Sequence, residues 1–134
     1  MSDAPLRPAV LVIVQNAGRV LLATHRYHQT DLPVLIAGMI ENGESAEEAA
    51  RREVAEETGL KITLEGILGT YPYRDDRQNL LMIAFLASSA SAELVLDDEL
   101  TDAAWHDPGD LPPWPPEWPI HQVFRDYRSR VTTA

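Results

Sequence analysis

The stretch Gly38–Leu60, GMIENGESAEEAARREVAEETGL, decides how the chain is read. Its second half predicts a helix over Ser45–Thr58. Ser45 and Glu48 stand at the spacing of a capping box, where each side chain satisfies the other's backbone N–H. The interior is Ala, Glu and Arg, all good helix formers. Gly59 stands where a left-handed residue ends a helix. At about 100° per residue, Ala46, Ala49 and Ala50 share one arc with Val54 beside it. That is the face fit for a core. Glu53 and Glu57 fall in the same arc, and Glu56 at its edge.

Three glutamates at i, i+3 and i+4 put their Cβ atoms about 5–6 Å apart. Like charges so placed repel, and part-burial raises the cost. An acidic, solvated helix laced with Glu47–Arg51 and Glu48–Arg52 pairs is the ordinary alternative. It does not serve Glu53, Glu56 and Glu57, because Arg51 and Arg52 cannot neutralise all three from their positions. A hard divalent cation can. Mg²⁺ takes a few carboxylates, some waters and substrate phosphates.

Working outward, the 134 residues amount to one domain, 1–134. Hydrophobic residues make up 45% and charged ones 24%, the balance of a globular protein. The chain has no cysteine, which excludes disulfides and thiolate-bound zinc and suits a reducing compartment. The first residues lack the basic flank and apolar stretch of a signal peptide. Ala9–Val14 is too short to cross a bilayer. A soluble, cytoplasmic protein without membrane partners is expected. The net charge of −10 argues against a nucleic acid polymer as partner, which needs a basic footprint. It leaves room for a small phosphate ligand approached through a metal.

Strands are expected at Ala9–Val14, Val20–Thr24, Val34–Ile40, Ile62–Tyr71, Leu80–Ala87, Glu93–Leu96 and Ala103–His106. Gln15–Arg19 reads as the turn of a first hairpin. Asp107–Pro119 holds six of the ten prolines, so it reads as a stiff surface loop. Trp114 and Trp118 within it are expected to pack that loop onto the body, with a ligand cover or a dimer contact as alternatives. Ile120, Val123, Phe124, Tyr127 and Val131 follow helical spacing and predict a closing amphipathic helix.

With these residues in place, Gly38–Leu60 resembles the Nudix box, G-x5-E-x7-R-E-U-x-E-E-x-G-U, with U aliphatic. Gly38, Glu44, Arg52, Glu53, Val54, Glu56, Glu57, Gly59 and Leu60 match all nine fixed positions. The resemblance implies an α/β/α sandwich around a mixed parallel and antiparallel sheet in a single domain. It implies hydrolysis of a phosphoric anhydride in a nucleoside diphosphate linked to another group, by water attack on phosphorus. Glu53, Glu56 and Glu57 would hold Mg²⁺ or Mn²⁺, with the carbonyl of Ala37 as a further ligand. Glu44 and Arg52 would form a structural pair that orients the glutamates. Glu99, six residues before Trp105, is similar to an E-x5-W element of several members and would serve the metal or act as base. A solvated acidic turn is its alternative.

Ile36–Glu41, with Glu99–Trp105 and Asp110–Pro113, is similar to the NADH pyrophosphatase branch. That branch usually carries a four-cysteine zinc ribbon and an S-Q-P-W-P-F-P-x-S element. This chain has no cysteine, and Thr70–Tyr73 only partly echoes the element. NADH, ADP-ribose, nucleotide sugars, dinucleoside polyphosphates and nucleoside triphosphates all stay open as substrates. Arg26 would meet a substrate phosphate, and Tyr71 and Tyr73 would stack on a base, with packing as the alternative. Neighbouring His25, Tyr27 and His28 receive no task. Many members are dimers, so the resemblance raises a homodimer without requiring one. Two other classes are a noncatalytic nucleotide sensor and an isoprenoid diphosphate isomerase. The first usually loses box glutamates and the second uses a cysteine.

Overall fold

The computed structural model describes residues 4–26 and 30–132; Tyr27 and His28 lie outside them. Strand β1 (Arg7–Asn16) turns into β2 (Arg19–His25) through Ala17 and Gly18 alone. Both turn residues have positive φ, 51° and 78°. That is the two-residue turn whose twist matches paired strands. Strand β3 (Ile36–Met39) leads into helix α1 (Ala46–Thr58). The long hairpin β4 (Ile62–Arg74) and β5 (Asn79–Ser89) follows, then β6 (Leu100–His106) and helix α2 (Ile120–Thr132).

The sheet runs β4-β5-β1-β2-β6. β1 and β5 are parallel over Arg7–Gln15, whereas β4–β5, β1–β2 and β2–β6 are antiparallel. The other edge of β1 is shared. Its end pairs with β2 at Gln15 and Asn16, and its first half pairs with β3, from Ala9 against Met39 to Val12 against Ile36. β1 is therefore covered along both edges, as a continuous apolar run requires.

Alternation along β1 fills both faces. Val10, Val12 and Val14 pack with Ala49, Ala50 and Val54 of α1. Ala9 and Ile13 pack with Val123, Phe124 and Tyr127 of α2. The result is an α/β/α sandwich. Among the described residues, no helix is long and apolar enough to cross a membrane.

Three expectations change. The expected strand at Glu93–Leu96 is absent; 91–97 is irregular. Val95 N donates to Thr58 O and Asp97 N to Glu57 O, so the segment serves the carbonyls at the end of α1 instead of a sheet partner. The third strand starts at Ile36, and Val34 makes only an isolated bridge to Ala23. Val131, placed on the buried stripe of α2, remains exposed.

The proline segment does pack onto the body. Trp114 is buried, stacks on Phe124 with ring centroids 5.5 Å apart, and donates from Nε1 to Pro33 O at 2.8 Å.

Candidate active site

The local sequence of α1 settles where its carboxylates point. Ser45 is the N-cap. Its Oγ accepts from Glu48 N at 3.0 Å, and its own N–H donates to Glu48 Oε1 at 2.9 Å. Gly59, at φ 74°, ends the helix. Ala49, Ala50 and Val54 lie flat on the sheet, fully buried. The small alanines bring the helix close to β1 and β3. Residues one turn on from them are then drawn inward, whatever their polarity.

Exposure of the three glutamates falls steeply toward the sheet. Glu56 keeps 57% of its side-chain surface, Glu53 keeps 13% and Glu57 only 2%. Burial pushes the Glu57 carboxyl up to about 8, with added repulsion from Glu53, Glu99, Asp97 and Glu56. Burial also raises Glu53, and Arg52 partly offsets it. Glu57 Oε1 lies 3.7 Å from His25 Nδ1, and its Oε2 is buried with no hydrogen-bond partner among the described residues. A buried carboxylate oxygen left so is costly unless something outside the chain answers it.

Arg52 ties the site together. It forks onto Glu44, with Nε to Oε2 at 2.7 Å and Nη2 to Oε1 at 3.0 Å. Nη2 also donates to Met39 O at 3.0 Å. Nη1 reaches Glu53 Oε1 at 2.9 Å and Glu56 Oε2 at 3.4 Å. The bond to Glu44 is the chief cause holding the guanidinium above its ordinary value, and the same bond holds the Glu44 carboxyl low. One planar fork thus locks α1 to the end of β3.

Gly38 completes that contact. A Cβ there would stand 2.1 Å from Glu53 Cδ, so the Glu53 carboxyl occupies the room a side chain would need. Ala37, one residue earlier, is paired with Leu11 of β1.

The structure brings several expected residues together and separates others. Glu99 belongs with the box glutamates, since its charge raises both Glu53 and Glu57. It sits in a turn where its N–H donates to Asp97 Oδ1 at 3.0 Å. Arg26 is tied to that turn: its N–H donates to Glu99 O and its Nε to Asp98 O, each at 2.8 Å. Its Nε is thus used to hold the acidic turn. Tyr71 and Tyr73 belong to the face that α2 covers, away from the glutamates. Tyr71 is 4% exposed and donates to Asp126, so its ring is not open for stacking. Tyr73 donates to Asp75 Oδ2 at 2.8 Å. His25 and Asp97 are site neighbours to which sequence reading assigned no role. Their link to α1 is purely tertiary.

The residues fit a hard divalent cation. The donors are carboxylates, two have raised proton affinity, and one buried oxygen has no partner. Among the described residues, no group of three His, Asp or Glu side chains is already arranged around one point. Arg52 Nη1 draws Glu53 and Glu56 toward itself, whereas Glu57 sits beside His25.

A mixed sheet between two helices, with glutamates of one helix tied by an arginine, is the arrangement that the resemblance of Gly38–Leu60 implied. The NUDIX domain model matches residues 5–127. The chain is 37% identical over 112 residues to a protein named NAD-capped RNA hydrolase NudC from Citrobacter koseri, covering 83% of this chain and 43% of that one. It is 40% identical over 106 residues to a protein of the same name from Vibrio atlanticus, covering 78% and 39%. A crystal structure of MutT protein from Methanosarcina mazei Go1 aligns over 100% of both chains, with TM-score 0.82 and 21% identity; it supports the fold alone. The chain belongs to the Nudix family. It spans about two fifths of the length of the curated relatives it matches. Nudix hydrolases generally need divalent metals and act on nucleotide substrates. The relatives' name includes an RNA, so it lends no support to the expectation that polymers are excluded.

Proposed function

We propose that residues 1–134 form one catalytic domain, a cytoplasmic pyrophosphohydrolase that cleaves a phosphoric anhydride in a nucleoside diphosphate linked to another group. The observation that carries this reading is Glu57. It is a nearly fully buried carboxylate with an unanswered oxygen, on the same helix as Glu53 and Glu56 and within the field of Glu99. Glu53, Glu56 and Glu57, with the Ala37 carbonyl, would hold Mg²⁺ or Mn²⁺. Bound there, the ion supplies charge neutralisation of the diphosphate and a lowered pKa for the attacking water.

The chain's own residues supply the rest. Arg52 keeps Glu53 turned toward the end of β3 and restrains Glu56. Glu44 holds Arg52, so it acts on the glutamates at one remove. Glu99 is exposed and near the cluster, which suits a group that takes the proton from water. Arg26 fixes the turn that carries it. All three box glutamates are present, so nothing favours a sensor.

The test is a panel of NADH, ADP-ribose, nucleotide sugars, dinucleoside polyphosphates, nucleoside triphosphates and NAD-capped RNA, assayed with Mg²⁺, Mn²⁺ or EDTA. Turnover of one class, abolished by EDTA, is expected. Glu57→Gln should keep the fold and reduce kcat about 100-fold or more, as loss of a principal electrostatic group does. Full activity with intact Mn²⁺ affinity in that variant would sink the assignment.

A further inference from the structure

Two of the three box glutamates share an orienting group, and the third has a different neighbour. Arg52 Nη1 donates to Glu53 and to Glu56. Among the described residues, the ion-pair partner within reach of Glu57 is His25. His25 Nδ1 stands 3.7 Å from Glu57 Oε1, and the two side chains keep 8% and 2% of their surface.

The fold fixes His25 in that place. Leu21 and Ala23 of β2 face α1, and His25 follows at the same two-residue period. The ladder with β6 is irregular at this point. Thr24 pairs with Asp102 and His25 with Leu100, so Thr101 is an extra residue, and its Oγ1 donates to Thr24 O at 3.3 Å. Just beyond, the Arg26 N–H and Nε donate to Glu99 O and Asp98 O, each at 2.8 Å. The backbone of His25 is thus pinned on both sides. Glu57 is held from the same turn, since the Asp97 N–H donates to its carbonyl at 3.2 Å.

An imidazole against a buried carboxylate has a directional consequence. With hydrogen on Nδ1, the ring donates to Oε1; with hydrogen on Nε2 alone, a lone pair would face the carboxylate. Glu57 Oε2 is buried with no hydrogen-bond partner among the described residues. One oxygen of Glu57 is addressed by the chain, and the other is left for a cation.

We propose that His25 is a positioning residue for Glu57: its Nδ1–H holds Oε1 and so presents Oε2 to the divalent cation. Its role is separate from that of Arg52, which serves Glu53 and Glu56. The contact shortens to a hydrogen bond when Glu57 becomes a ligand, as supporting bonds around such sites do. This inference rests on the reading above in taking Glu57 as a cation ligand.

The test compares three variants of the whole chain by Mn²⁺ affinity, read by electron paramagnetic resonance without nucleotide. His25→Asn keeps an N–H donor near the Nδ1 position. His25→Gln carries its donor further out, near Nε2, and His25→Leu has none. The Leu and Gln variants should bind Mn²⁺ about tenfold more weakly, and the Asn variant should recover most of that loss. A histidine with a structural role alone would lower stability in all three and leave Mn²⁺ affinity per folded molecule unchanged. In a Glu57→Gln background, His25→Leu should cost less than about twofold, because its partner is gone. If the Leu variant does not fold, the Asn and Gln variants decide. Where a substrate is turned over, the Mn²⁺ concentration for half-maximal rate should rise by the same factor while the nucleotide KM holds. No turnover at all, with the Mn²⁺ pattern as expected, fails the hydrolase reading and supports this one. Wild-type affinity in His25→Gln, equal losses in the Asn and Gln variants, or a wild type that binds no Mn²⁺ overturns the proposal.

Discussion

Glu57 shows what one buried carboxyl does to a whole protein. Its ordinary value of 4.5 rises to about 8 in the fold, because burial and four neighbouring acids oppose the charge. Between those values the native state keeps a proton that the unfolded chain gives up. Stability contributed by this group is therefore full below pH 4.5 and lost as pH rises toward 8. Glu44, Glu48 and Asp75 are shifted the other way, so their contribution is lost only as pH falls below the ordinary carboxylate range. The two windows do not overlap. In EDTA, Tm should fall steadily across this interval and level off above it, and Glu57→Gln should remove most of the slope. A Tm that rises over that range in the wild type contradicts the burial argument. Mn²⁺ should stabilise more at the alkaline end, since its ligands must be deprotonated. The helical wheel had placed Glu53 and Glu57 in the buried arc and Glu56 at its edge, and their exposures follow that order. His25 and Asp97 were not legible, since nothing local marks a residue on another element as a neighbour.

At the scale of elements, the site is a joint between β3 and α1. Arg52 and Gly38 make it, the first by hydrogen bonds to Glu44 and Met39 O, the second by having no side chain where Glu53 lies. Gly38→Ala should displace the Glu53 carboxyl while leaving the helix intact. We expect Mn²⁺ affinity, read by electron paramagnetic resonance, and the hydrolysis rate to drop together, by about 10–100-fold. Unaltered circular dichroism with unaltered Mn²⁺ affinity would show the contact to be dispensable. Segment 91–97 carries a lesson of the same kind. Glu93–Leu96 has strand-like residues, but Val95 and Asp97 give their N–H groups to the last carbonyls of α1. Those carbonyls are unsatisfied within any helix, and a nearby extended segment answers them. Tertiary placement overrode local propensity there.

Across the whole molecule, the two faces of the sheet do different work. The α1 face carries the glutamates, and the α2 face is a plain apolar core that also takes in Tyr71. The proline segment closes that second face by inserting Trp114 between Phe124 and Pro33. Trp114→Ala should cost about 3–5 kcal/mol of unfolding free energy, as for other large core aromatics. Denaturant titration measures this. The rate per folded molecule should change little, since Trp114 lies across the sheet from the glutamates. A large drop in rate with little loss of stability would mean the segment reaches the site after all.

Sequence alone determined the family and the helix with its caps, and named the glutamates and Arg52. Those features are written in short-range spacing, where i, i+3 and i+4 positions share a helix face whatever surrounds them. The sandwich followed from the resemblance, not from periodicity. Only the tertiary structure decided that Tyr71 is core and that Arg26 anchors the Glu99 turn. Each of those outcomes depends on which strand lies beside which. Pairing β1 parallel to β5 joins residues some seventy positions apart, and that pairing is set by the burial of both sheet faces at once.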